Sequence, residues 1–216
     1  LENPVYTYDG TPKTPQVTIR YDGKILIPEK DYSVEYLDNT QAGTARIRIT
    51  AHSLFYGVLE RSFTIEKAVP DYTVPTSLTA TYGQFLKDIS LPEGFSWEKP
   101  LDTVGDAGSN QWMLRYDMGD ANYQAVEEIP VTLTVHPKEV NISPDKKPAL
   151  ALWTGSPLTP ALTLHDGKTV IPASEYTLSY EKNTGFGYAT VTVTDNPGGN
   201  YTVSGTQRFL IVPGPL

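Results

Sequence analysis

The chain contains no cysteine in its 216 residues. That excludes a disulfide framework, a thiolate nucleophile and a thiolate metal site, and it fits proteins exported by bacteria that lack a disulfide-forming compartment. Histidine is nearly as scarce, with only His52, His136 and His165. None of them accompanies a nucleophile motif and no G-x-S-x-G elbow occurs, so each reads as a loop or strand-surface residue. Positive charge is also short: 17 Lys and Arg stand against 25 Asp and Glu, for a formal charge of -8 and a pI near 4.9. The basic residues are scattered, whereas phosphate backbones need them clustered, so nucleic acid is not an expected partner. No run of about 18 apolar residues is present, and direct membrane insertion is not expected. The opening LENPVYTYDG is no signal peptide, and the chain reads as a segment of a larger protein whose other domains are its neighbours.

Amphipathic helical periodicity is missing as well. What fills the chain is strand and turn vocabulary: 14 Tyr, 18 Pro and 17 Gly, with 39% hydrophobic residues. Ala45, Ile47 and Ile49 alternate with Arg46 and Arg48, and Tyr32, Val34 and Tyr36 share the opposite phase from Ser33 and Glu35, so each strand has one buried and one wet face. Asp22-Gly23 between two apolar runs is a hairpin signal, and Asp166-Gly167 repeats it. Asn39 to Gly43 and Asn183 to Gly187 read as turns leading into strands.

The chain repeats itself. Residues 22 to 50 return without a gap as residues 166 to 194, and 12 of the 29 aligned positions are identical. Repeats at opposite ends imply small tandem units, which build length and valency more readily than one deep active site. The predicted fold class is all-β, with three small sandwich modules over residues 1-67, 68-137 and 138-216 in an elongated array. The middle unit is a cousin rather than a copy, marked by Tyr82-Gly83-Gln84, Leu91-Pro92, Trp97, Asn122-Tyr123 and the alternating Val131, Leu133 and Val135. A row of such modules would exceed the radius of gyration of roughly 17 Å that a compact domain of this length would have.

The wording Tyr8-Asp9-Gly10-Thr11-Pro12, then Asp22-Gly23-Lys24, Ile27-Pro28, Asp31-Tyr32, Tyr36, Asn39-Thr40, Gly43, Ala45 and Phe63, resembles the YDG-type immunoglobulin-like repeats of bacterial surface proteins. The third unit keeps the later landmarks, with Trp153-Thr154-Gly155 in place of the opening triplet, and the middle unit resembles the related YGX-type module. The resemblance implies immunoglobulin-like sandwiches, a secreted or cell-surface location, in keeping with a Gram-positive bacterium, and a stalk or adhesin segment. It implies no catalytic, cofactor or metal residue.

Candidate chemistry is thin. The acidic residues supply carboxylates everywhere and single out no pair for glycoside hydrolysis. Asp117 to Asn122 gathers oxygen ligands in one loop, with Asp102 and Asp106 as further candidates, but the spacing is not that of an EF-hand and the same residues are ordinary turn formers. The last strands, Leu59 to Ile65, Val131 to Val135 and Thr206 to Val212, hold no Asn for a Lys-Asn isopeptide bridge. Trp97, Trp112 and Trp153 are the aromatic platforms a glycan could use. Trp112 reads as core and Trp153 as the counterpart of Tyr8, which leaves Trp97, in a loop-like stretch, as the first to test. The expectation is therefore a monomeric, non-catalytic stalk or spacer without cofactor. The alternative is a module that binds a glycan or a host matrix protein.

Overall fold

The structure is a computed structural model that describes residues 4–143 and 149–214. It is all-β: among the described residues the only helical segments are single 3-10 turns at Leu86–Asp88 and Ala173–Glu175. Contacts divide the chain into two compact units, Leu1–Val74 with Leu91–Glu98 and Met113–Ile129, and Pro75–Ser90 with Lys99–Trp112 and Pro130–Leu216.

Among the described residues seventeen strands occur in chain order: β1 Val5–Thr7, β2 Arg20–Tyr21, β3 Lys24–Ile25, β4 Tyr32–Leu37, β5 Gly43–Ala51, β6 Val58–Glu66, β7 Leu78–Thr81, β8 Phe95–Trp97, β9 Gly108–Tyr116 and β10 Val126–His136. They continue with β11 Lys138–Ile142, β12 Ala149–Leu152, β13 His165–Asp166, β14 Thr169–Val170, β15 Tyr176–Glu181, β16 Gly187–Asp195 and β17 Tyr201–Val212. Three main sheets have one plan: β1-β6-β5-β4, β7-β10-β9-β8 and β11-β17-β16-β15, with β12 also on β17. In each, a short early strand lies parallel to the last strand and the rest pair antiparallel.

In the first unit the alternating residues Ala45, Ile47 and Ile49 of β5 and Phe63 and Ile65 of β6 are buried with Tyr32. Fully burying Phe63 alone removes enough apolar surface to stabilise the fold by about 2 kcal/mol. Val17, Ile19 and Leu26 pack on this cluster from the segment between β1 and β4. That segment holds Pro12 and Pro15 and forms almost no ladder of its own, so its carbonyls need other partners. Tyrosines supply them. The Tyr36 hydroxyl donates to the Pro15 carbonyl at 2.7 Å and Tyr32 to Val17 at 3.4 Å, while Asn39 Nδ2 donates to the Lys13 carbonyl at 2.9 Å.

The second unit repeats each clamp: Tyr180 donates to Pro160 at 2.6 Å, Tyr176 to Leu162 at 3.1 Å and Asn183 to Leu158 at 2.9 Å. The repeated tyrosines and asparagines are thus the fasteners that hold an unpaired layer onto a sheet. Thr132 and Thr134 face solvent and Val131, Leu133 and Val135 are buried, as the alternation in β10 predicts.

One repeated turn departs from the sequence expectation. Tyr21 pairs with Lys24, which leaves Asp22 and Gly23 at the tip with φ of 45° and 73°, the left-handed pair of a type I′ hairpin. In the later copy Asp166 pairs with Thr169, so the tip is Gly167-Lys168 instead of Asp166-Gly167. The stretch leading into the later turn is one residue shorter. Burial of Leu164 and Ile171 fixes the strand phase, so both tips keep two residues with glycine moved to the first position in the later one, and the missing residue is taken up after the hairpin, where four residues separate Ile171 from Tyr176 against five between Leu26 and Tyr32.

Candidate functional site

The densest polar geometry lies where one main sheet hands the chain to the next, and it is built twice. Tyrosine and tryptophan open each pattern. The Tyr8 N–H donates to the carbonyl of Glu66, the last residue of β6, at 2.9 Å. Tyr82 donates to His136, the last of β10, and Trp153 to Val212, the last of β17, each also at 2.9 Å. Trp153 therefore occupies the position of Tyr8. Behind Tyr8 the turn is locked by its own side chains, with Asp9 accepting from the Thr11 N–H at 2.9 Å and from its hydroxyl at 2.6 Å. Behind Tyr82 the Gln84 side-chain Oε1 accepts the Thr81 N–H at 2.6 Å and closes the Gly83 turn.

Within the first unit, Ala68 continues from β6 and forms a rung beside Tyr123: its N–H donates to the Asn122 carbonyl and its carbonyl accepts from Gln124, both at 2.9 Å. The Asn122 side chain then fastens the β4–β5 turn. Its Oδ1 accepts the Ala42 N–H at 2.8 Å, and its Nδ2 donates to Gln41 at 2.6 Å and to Asp120 at 2.9 Å. The Tyr123 ring meets Tyr8 edge-on at 5.5 Å.

The same parts recur within the second unit. The Lys138 N–H donates to the Asn200 carbonyl at 2.9 Å, Asn200 Oδ1 accepts the Ala107 N–H at 2.7 Å, and its Nδ2 donates to Asp106 at 3.0 Å. The Tyr201 ring meets Tyr82 edge-on at 5.3 Å. Ala42 and Ala107 each precede a glycine of positive φ, Gly43 at 141° and Gly108 at 122°, which turns the alanine N–H out of its own strand. Lys138 also pairs with Asp166 at 2.6 Å. Asparagine suits this role because one side chain offers a carbonyl and an amide without charge, so it can satisfy a backbone N–H and a neighbouring acceptor together.

The residues weighed from sequence fall elsewhere or are already engaged. Trp97 is 7% exposed on β8 and is not a free loop platform; its strand pairs with β9, so its ring lies in the core. Trp112 is half-buried with its Nε1 donating to the Val104 carbonyl at 3.3 Å. The loop with Asp117 and Asp120 is filled from within. Asp117 accepts from the Gly119 N–H and the Arg115 guanidinium, which hold its carboxyl below the usual carboxylate range, and Asp120 accepts from Asn122 twice. Asp106 is the partner of Asn200. Among the described residues no group of three or more His, Cys, Asp or Glu is placed to hold a metal. His136 and His165 are exposed and His52 donates its N–H to the Asp31 carbonyl at 2.8 Å.

Sequence reasoning took Asn122-Tyr123 as a mere landmark and gave Asn200-Tyr201 no role. The repeated Asn-Tyr pair, just ahead of β10 and at the start of β17, is the signal that marks both passages.

No family model matches the chain, and no curated protein matches it. Among solved structures, the crystal structure of mouse cadherin-23 EC22-24 is similar at 13% identity over 97% of this chain and 95% of that one, with a TM-score of 0.24.

Proposed function

We propose that this chain is a non-catalytic stalk or spacer of a bacterial surface or secreted protein, made of three tandem immunoglobulin-like modules over residues 1-67, 68-137 and 138-216. The observation that carries the reading is the twice-built passage. A flexible linker leaves its backbone to water, whereas Ala68 and Lys138 are held in ladder hydrogen bonds. The Asn122 and Asn200 side chains add a cross-brace to a backbone amide on each side. A spacer that transmits force or sets distance needs such fixed passages. Among the described residues the sheets bring together no comparable set of nucleophile, base and acid.

Hydrogen exchange on the intact chain tests this. The amides of Ala42, Ala68, Ala107 and Lys138 should exchange within about tenfold of neighbouring strand amides. Exchange at loop rates in all four would remove the basis for a fixed spacer.

A second reading, a module that grips a glycan or host matrix protein, is favoured by one observation: Tyr21, Ile25, Leu54 and Tyr56 are all exposed in the first unit, and Tyr21 meets Phe55 edge-on at 5.4 Å. A glycan array and a matrix-protein panel, run with a Tyr56→Ala variant, separate the two. Saturable binding lost in the variant would favour the binding module, and silence would favour the spacer.

A further inference from the structure

The two passages share one scaffold and differ in charge at two positions. Asn122 Nδ2 donates to Gln41 where Asn200 Nδ2 donates to Asp106, and Ala68 forms the rung that Lys138 forms in the second passage. The first passage makes the brace with a glutamine and an alanine, so bracing does not account for the charges on Asp106 and Lys138. Lys138 reaches Asp166 instead, at 2.6 Å, and that aspartate sits on the β13–β14 hairpin opposite Thr169.

These residues line an open cleft of about 390 Å³ within the second unit, together with Tyr82 and Tyr201. Small-molecule sites occupy roughly 300 to 1,000 Å³. Tyr201 is 5% exposed; its backbone N–H donates to Glu175, but its hydroxyl bonds to no described residue. No side-chain oxygen or nitrogen among the described residues is sealed from solvent without a partner, so this hydroxyl opens to the cleft. Burial, and then the Asp166 charge, raise its pKa and keep it a proton donor. Tyr82, half-buried and edge-on to Tyr201 at 5.3 Å, adds an aromatic surface. Both carboxylates are half used: Asp166 Oδ2 takes the Lys138 ammonium and Asp106 Oδ1 takes the Asn200 amide, which leaves one oxygen of each as an acceptor.

The mixture of donors and acceptors selects the ligand. A cation offers donors only, and it would leave the Tyr201 and Thr169 hydroxyls and the remaining Lys138 protons without acceptors. An anion offers acceptors only and would face the two free carboxylate oxygens. A sugar hydroxyl donates and accepts at once, and the apolar face of a sugar ring suits an aromatic wall. We propose that this cleft binds a neutral sugar residue, with Asp106 and Asp166 accepting from its hydroxyls, Lys138, Tyr201 and Thr169 donating to them, and Tyr82 against its ring. This inference deepens the second reading above and rests on it for the ligand class, but it places the site in the second unit, away from Tyr21 and Tyr56.

The test titrates the full chain with tetrasaccharides of glucose, mannose, galactose and N-acetylglucosamine, and with tetragalacturonate and tetra-arginine as charged controls, each into the mM range and followed by amide NMR. At least one neutral probe should saturably shift the amides of Gly83, Asp106 and Thr169. Lys138→Ala combined with Asp106→Gln writes the residues of the first passage into the second. That variant should keep slow exchange at Ala107, which reports the brace, and bind about tenfold more weakly or worse. Thr169→Val, at an exposed residue outside the brace, should weaken binding about threefold and carries the test if Ala107 is freed in the double variant. Silence from every neutral probe, shifts with a charged control alone, or undiminished binding by the variants would overturn the proposal. Binding lost in Tyr56→Ala and kept in the double variant would overturn this site while leaving the second reading in place.

Discussion

The first and third sheets share about thirty residues of wording and one set of clamps, yet among the described residues β17 has a parallel partner along both halves and β6 along its later part only. What the two share is encoded inside the repeat. Tyr36 and Tyr180, Tyr32 and Tyr176, and Asn39 and Asn183 each close on a carbonyl in the layer just upstream. What differs is encoded outside it, by the segment that runs into the repeat before its first parallel strand.

The difference is broken most severely at Gly205. A Cβ there would run into the Ile142 backbone, and its φ of 128° is strained for any L side chain, so Gly205→Ala should cost about 3 kcal/mol of stability in the second unit. Leu59, which pairs with Ile49 as Gly205 pairs with Val193, is 41% exposed and among the described residues has a paired strand on one side only, and Leu59→Ala should cost only about 1 kcal/mol. Urea unfolding of the two variants measures both. Equal losses would mean that the two edges are equally covered in solution.

The clamps sharpen the comparison at the next level. Pro15 is buried and Pro160 is exposed, so removal of the hydroxyl leaves one carbonyl stranded and the other free to turn to water. Tyr36→Phe should therefore cost about 1.5 kcal/mol and Tyr180→Phe about 0.5 kcal/mol, read from the shift in denaturation midpoint. The passages come next. Asn122→Ala or Asn200→Ala exposes one backbone N–H to incoming water and should cost about 1 kcal/mol, with faster exchange confined to Ala42 in the first variant and to Ala107 in the second.

Much of this architecture is legible in the residues. Alternation at Ala45, Ile47 and Ile49 places strand and face together because a sheet buried on one side enforces period two. Asp22-Gly23 marks its turn because only a few residues accept left-handed φ. Trp97 misled because Gly94-Phe95-Ser96-Trp97 has no alternating context long enough to show a face; its burial depends on the partner strand β9, nearly twenty residues on. The roles of Asn122 and Asn200 were hidden for the same reason. An asparagine after turn residues reads as a turn former, and only the fold reveals that it bonds to Ala42, eighty residues away, or to Ala107, ninety-three away. Local preferences are written in local sequence, and cross-braces are not.

The smallest expected effect concerns acid, and it too should separate the two copies. Asp9 is held well below the usual carboxylate range first by the Lys13 ammonium, then by the Thr11 hydroxyl and N–H. A carboxyl whose folded pKa is depressed adds stability above its unfolded value near 3.8 and loses it as pH falls toward the folded value. The corresponding turn of the third sheet is Trp153-Thr154-Gly155, with threonine in place of the carboxylate. Asp9→Asn should leave the first unit slightly less stable at pH 7, with the gap to the parent narrowing as the pH drops below about 4. Exposure of the Asp9 carboxyl to solvent keeps the effect small and makes it weaken with salt. Asp117, also held low, keeps some acid sensitivity in that unit after the substitution. The check is unfolding of parent and variant from pH 7 to pH 2, with amide exchange reporting each unit separately. A gap that stays constant across that range would show that the Asp9 turn contributes shape alone and no charge-dependent stability.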